Sequence, residues 1–155
     1  MKELMMRLNI HPSRATHQSA LRVMKRRGGG FFVGKYAKSG AKKWSNELAE
    51  KLRPFKPPRP FSEPVHIDVI WVFDYPKSTP QKNREKYSWR MKRPDLDNME
   101  KGVLDLLTKE GFFLDDSQIV SKFTAKMEGT EPCIIIRIRP LDRGPFSDFV
   151  KTYRV

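Results

Sequence analysis

Apolar residues fall into a few clear patterns along the chain. "MMRLNIHPS" alternates Met6, Leu8 and Ile10, the period of a half-buried strand. "VHIDVIWVF" alternates more strongly. Val65, Ile67, Val69, Trp71 and Phe73 make one wholly apolar row, and His66, Asp68, Ile70 and Val72 make a second, partly apolar row. "QIVSKFTAKME" and "CIIIRIRPL" read as two more strands, and the short "GTEP" between them suggests a hairpin. Two other segments carry the period of a helix. In "SGAKKWSNELAEKLRPF", Ala41, Trp44, Leu48 and Leu52 form a stripe, Ser39 is a candidate cap and Pro54 follows the end. In "DNMEKGVLDLLTKEG", Met99, Val103, Leu106 and Leu107 form the stripe, Gly111 is the stop, and Asp97 with Glu100 has the spacing of a capping box. The order is strand, helix, strand, helix, strand, strand, with no repeating βαβ unit. It predicts an α+β fold, with a single mixed sheet of about four strands and two main helices, in one domain over residues 1–155.

The connections are informative as well. A basic arm over residues 22–43 contains "RVMKRRGGGFFVGKY". Three consecutive glycines cost too much backbone entropy to sit inside a helix or strand, so a loop that orders on a ligand and a plain β-turn both fit. The run is not a nucleotide-binding fingerprint, because neither the Rossmann spacing nor a Gly-Lys-Ser/Thr ending is present. Residues 77–93 form a polar loop with seven Lys or Arg and one acid, long for a compact domain and of the kind used for binding.

Charge sharpens the picture. Thirty-one Lys and Arg stand against eighteen Asp and Glu, a net charge of +13. Aromatics are interleaved with that charge in "KYAKSGAKKW" and "REKYSWRMKR", which points to nucleic acid ahead of an anionic membrane or an acidic protein. No apolar run approaches the ~20 residues of a bilayer span. The start, "MKELMMRLNI", lacks the apolar stretch of a secretion signal, and Cys133 is the only cysteine, so a reducing, cytoplasmic setting is expected.

Against this basic background, "RPDLDNMEKGVLDLLTKEGFFLDD" gathers seven of the eighteen acids into twenty-four positions. Two readings compete. In one, Asp97 and Glu100 cap the helix, Asp105 and Glu110 face solvent, and Asp95, Asp115 and Asp116 are turn residues. In the other, the acids hold a cation against an anionic substrate. Asp95 and Asp97 stand two apart where the helix begins, and Lys101 shares the helix face of Asp97. Hard carboxylate oxygens and a nearby cation are what metal-assisted phosphoryl chemistry needs. A helix from Asn98 to about Leu107 would be ~15 Å long, and a return from Thr108 to Asp116 can span up to ~27 Å, so Asp116 can stand beside Asp95 and Asp97. If the helix ran to Glu110, the return would barely suffice. An EF-hand is excluded, because "DLDNMEKGVLDL" lacks the glycine at its sixth position and the glutamate at its twelfth. No Cys/His grouping suits zinc, and His66 reads as an ordinary surface or cross-strand residue rather than a ligand.

"RPDLDNMEKGVLDLLTKEGFFLDDSQIV" resembles the RusA family of Holliday junction resolvases. Asp-x-Asp-Asn, a Lys four residues after the second Asp, a Leu-rich helix end and a paired Asp-Asp before Gln-Ile all stand in order. The resemblance is strict over residues 93–120, looser from 65 to 139 and weak before that. It implies a small homodimeric α+β endonuclease that uses Mg²⁺, with Mn²⁺ able to substitute, and cuts four-way DNA junctions in recombination and repair. By position it makes Asp95, Asp97 and Asp116 the metal-binding catalytic carboxylates and Lys101 the catalytic lysine, with a lesser role for Asp115. Arg26, Arg27, Lys35, Lys92 and Arg93 are candidate DNA contacts, with Trp89 or Phe31 as a wedge at the branch. A non-catalytic nucleic-acid binder and a metal nuclease acting on flaps or RNA are the alternatives.

Overall fold

The computed structural model describes residues 2–13, 20–36 and 39–141. In chain order they form β1 (Leu4–Leu8), β2 (Ala20–Lys25), β3 (Phe31–Tyr36), α1 (Ser39–Leu52), β4 (Val65–Asp74), β5 (Tyr87–Trp89), α2 (Leu96–Lys109), β6 (Ile119–Gly129) and β7 (Cys133–Pro140). The fold is α+β, with two helices and a mixed five-stranded sheet in the order β1-β7-β4-β6-β5. The segment with the strongest apolar alternation, β4, takes the centre. It runs antiparallel to β7 and parallel to β6, and α2 lies in the crossover between the two parallel strands.

The expected hairpin between the last two strands is not formed. β6 and β7 are joined by only Thr130–Pro132, yet they flank β4 on opposite sides. β4 is buried over most of its length, so it wins the central position, and β6, with Val120, Lys122 and Phe123 exposed, is pushed outward. The arm and the basic loop also carry more structure than expected. β2 and β3 pair as a separate two-stranded ribbon whose turn places Gly29 and Gly30 at positive φ, so the β-turn reading of the triple glycine holds. Within residues 77–93, β5 adds an edge strand to β6.

Both helices pack on one face of the sheet. Ala41 of the α1 stripe is buried, and Leu48 and Leu52 join Met99, Val103, Leu106 and Leu107 of α2 in the core there. They meet Met6, Leu8, Val65, Ile67, Val69, Trp71, Phe73, Ile134, Ile136 and Ile138. Trp44 is half-buried and donates from Nε1 to the His11 carbonyl at 2.9 Å. Cys133 is buried, and burial pushes its thiol pKa up. Among the described residues no helix is long and apolar enough to cross a membrane.

The opposite face is partly polar. His66 bridges Ser121 Oγ at 2.7 Å and Asp68 Oδ1 at 2.9 Å, and Arg137 Nε donates to Asp68 Oδ2 at 2.6 Å. His66 is thus the cross-strand residue the alternation suggested. Burial alone would raise the Asp68 carboxyl pKa, but hydrogen bonds from His66 and Arg137 outweigh it and hold it below the ordinary value. A depressed folded-state pKa contributes stability above the unfolded pKa, near 4, that is lost as pH falls through the folded value. Asp68→Asn should therefore lower stability at pH 7 by about 1–2 kcal/mol and flatten the acid limb of a denaturation profile below about pH 4. An unchanged acid limb would show that the network carries no such linkage.

Candidate active site

Helix α2 starts one residue before the proposed cap. Asp95 is the N-cap, and its side chain makes no capping hydrogen bond. Asp97 sits inside the first turn, so the expected Asp97–Glu100 capping box is absent. Glu100 instead turns inward: it is only 7 % exposed and accepts a hydrogen bond from Lys122 on β6. At the other end the helix stops as expected. Gly111 has φ +79°, its N–H reaches the Thr108 carbonyl, and the Phe112 N–H reaches that of Leu107. This is a Schellman arrangement, closed over buried Phe112 and Leu107.

The chain then returns along the helix. Phe61 N–H donates to the Phe112 carbonyl at 2.8 Å, and Phe61 forms a parallel bridge with Phe113. A single 3-10 turn, Asp116–Gln118, follows, and the capping box appears here. Asp115 Oδ1 accepts from the Ser117 N–H at 2.8 Å, and Gln118 Oε1 accepts from the N–H groups of Leu114 and Asp115. The bonds from Ser117 hold the Asp115 carboxyl below its usual range. Gln118 Nε2 donates to the carbonyls of Phe61 and Glu63 at 3.0 and 3.2 Å.

These anchors bring Asp116 across from the exposed face of α2. Asp97, Glu100, Lys101, Leu104, Asp105 and Asp116, with Lys122, line one open cleft of about 280 Å³. Asp97, Lys101 and Asp105 recur at the four-residue spacing of one helix face. The helix is longer than the reach argument preferred. Asp116 nonetheless shares one cleft with Asp97, Lys101 and Asp105. Asp95, exposed at that mouth, is not among the lining residues. Glu100, Asp105 and Lys122 were not singled out as site residues. Lys122 is in register with core-facing Ile67, a placement that only the β4–β6 pairing reveals.

The cleft holds four acids against two lysines, so it is locally acidic in a chain of net charge +13. Among the described residues, no three His, Cys, Asp or Glu side chains are grouped as a ready metal cage. Mg²⁺ usually takes one or two carboxylates and keeps waters, and the oxygens of Asp97 and Asp116 on one cleft fit that requirement. Of the candidate DNA contacts, Arg26 and Arg27 are exposed in the β2–β3 turn, next to Phe31, which is 71 % exposed. Trp89 stands 71 % exposed on β5, and Lys92 and Arg93 are exposed just before α2. The side chains of Lys35 and Ser39 fall outside the described residues.

Residues 12–139 match the family model for endodeoxyribonuclease RusA. The chain belongs to the RusA family. A relative from Lactococcus phage r1t, crossover junction endodeoxyribonuclease rusA, is 36 % identical over 85 residues, which is 55 % of this chain and 61 % of the relative. The RusA protein of Escherichia coli K12 is 50 % identical over 40 residues, covering 26 % of this chain and 33 % of the relative. The rusA protein of Enterobacteria phage 82 matches to the same extent. The matched segments thus span less than two thirds of these RusA relatives.

Because Gln118 ties the Asp115–Asp116 turn to the carbonyls of Phe61 and Glu63, Gln118→Ala should cost about 2 kcal/mol in chemical denaturation. A loss below about 0.5 kcal/mol would mean that the turn is held by other contacts.

Proposed function

We propose that this protein is a Mg²⁺-dependent endonuclease that resolves four-way DNA junctions by phosphodiester hydrolysis. The observation that carries the reading is the meeting of Asp97, Asp116 and Lys101 on one cleft, in a chain of the RusA family. Relatives named crossover junction endodeoxyribonucleases support the substrate, as do the exposed cations of the β2–β3 turn and of the segment before α2.

Asp97 and Asp116 are the carboxylates assigned to the metal, with Asp95 added by the family pattern. A bound Mg²⁺ supplies Lewis acidity and an activated water. Asp97 and Asp116 come from two different elements, the helix and the returning turn, and together would hold the cation in place relative to the protein. Lys101, one helical turn after Asp97, sets a positive charge where the phosphorane-like transition state gathers negative charge. Glu100 neutralises Lys122 and keeps that second lysine from competing for the phosphate. Symmetric resolution requires two cuts, and a two-fold homodimer with one cleft per subunit meets that need. The setting is the cytoplasm of a bacterial or phage-infected cell, in DNA recombination and repair.

A fluorescent four-way junction should be cut in Mg²⁺ and left intact in EDTA, with linear duplex and flap substrates cut far more slowly. Asp97→Asn should abolish cutting while junction binding persists, and Lys101→Ala should lower turnover by about a hundredfold. Unaltered cutting by Asp97→Asn would reject the site, and equal cutting of flaps would reject the junction preference. Light scattering should give twice the chain mass; a monomer that still makes paired cuts would remove the dimer from the scheme.

A further inference from the structure

A second, larger cavity lies outside the acidic cleft, in the segment between β4 and α2. It measures about 620 Å³ and is lined by Asp74, Tyr75, Pro76, Lys77, Arg84, Arg90 and Lys92. Four cations border it against one acid, and that acid, Asp74, is itself paired with His11 at 2.9 Å. Its size falls in the range of sites that enclose a ligand, roughly 300–1,000 Å³. Tyr75 and Pro76 add flat faces beside the charge.

Arg90 is the unusual member. It is only 8 % exposed, stacks at 4.3 Å over the Phe73 ring, and donates to Glu128 at 2.7 Å and to the Arg93 carbonyl at 2.9 Å. Its Nε is buried with no hydrogen-bond partner among the described residues. The guanidinium is thus a positive charge held in place at the cavity wall by Phe73, Glu128 and the Arg93 carbonyl. The cavity is built into the site's framework. Arg90 grips the Arg93 carbonyl, and Lys126 Nζ holds the carbonyls of Lys92 and Pro94 at 3.0 and 2.9 Å, immediately before Asp95. Lys92 and Asp97 are five residues apart, at most ~18 Å of extended chain. That is about five nucleotides at ~3.4 Å per nucleotide.

We propose that this cavity binds backbone phosphate of a DNA strand within about five nucleotides of the bond cut at the acidic cleft. The inference rests on the junction-nuclease reading for the identity of the strand; the anion site itself does not depend on cleavage. Lys77, Arg84 and Lys92 supply the long-range attraction, and Arg90 supplies a fixed positive charge. Arg84 is held in place by its bond to the Thr79 carbonyl at 3.1 Å. The segment thereby becomes an anchor that orients the strand before chemistry begins.

Two measurements test this. In EDTA, Lys77→Ala/Arg84→Ala should weaken junction binding about tenfold, and the salt slope of log K should shrink by about one per cation removed. Lys77→Glu, at an exposed position, gives the same readout should the double variant fold poorly. Separately, the Arg90 Nε–H resonance of the wild-type protein should shift on titration with a twelve-nucleotide single strand, at concentrations where inorganic phosphate has little effect. Unchanged affinity and slope in the variants, or an Arg90 resonance indifferent to the strand, overturns the proposal. Saturation by inorganic phosphate as tightly as by the strand assigns the cavity to a free anion and also overturns it. A wild-type protein that shifts the Arg90 resonance with the strand but cuts no junction would refute the nuclease reading and leave the anion site standing.

Discussion

Gln118 accepts backbone N–H groups from Leu114 and Asp115 with one end of its amide and donates to the carbonyls of Phe61 and Glu63 with the other. The first pair closes the turn that carries Asp116, and the second pair ties it to the segment leading into β4. The Schellman stop at Gly111 aims the chain back along α2, and the Phe61–Phe113 bridge keeps it there. Without this constraint, Asp97 and Lys101 would form an ordinary solvated helix face. With it, a carboxylate from a separate element faces them, and a helix surface becomes a cleft. The pairing of elements matters more than the number of acids.

The distribution of charge follows the same division of labour. Acids concentrate where a divalent cation would be held, and the pair Glu100–Lys122 is internal to that region. Cations concentrate before it in sequence: in the turn of the β2–β3 ribbon and in the segment from Lys77 to Arg93. An anionic polymer is attracted by those surroundings and meets the acids of the cleft only at close range.

Much of this was legible in the residues, where the signal was periodic. The alternation of Val65, Ile67, Val69, Trp71 and Phe73 located the central strand, and the stripe from Met99 to Leu107 located the helix under the cleft. Strand order was not legible. A three-residue link between β6 and β7 favours a hairpin locally, and only the competition for the most buried position puts β4 between them. The cap was misread for a similar reason: Asp97 and Glu100 have the spacing of a capping box, but burial beside Lys122 captures Glu100. The return of Asp116 was accessible by reach alone, whereas the place where it meets the helix depends on Gln118 and Phe61. The cavity around Arg90 had no sequence signature, because aperiodic loops reveal nothing about which of their cations are buried.

The register of the outer strands bears on synthesis. Leu4 of β1 pairs with Ile138 of β7, and β7 in turn pairs with β4, which carries β6 on its other edge. Closing such distant contacts comes late in folding, because the entropy of the intervening loops is lost before the contacts stabilise anything. On the ribosome, the support beneath the cleft cannot be completed until the chain beyond residue 138 has left the exit tunnel. A partly made chain therefore lacks the finished support on which the cleft depends.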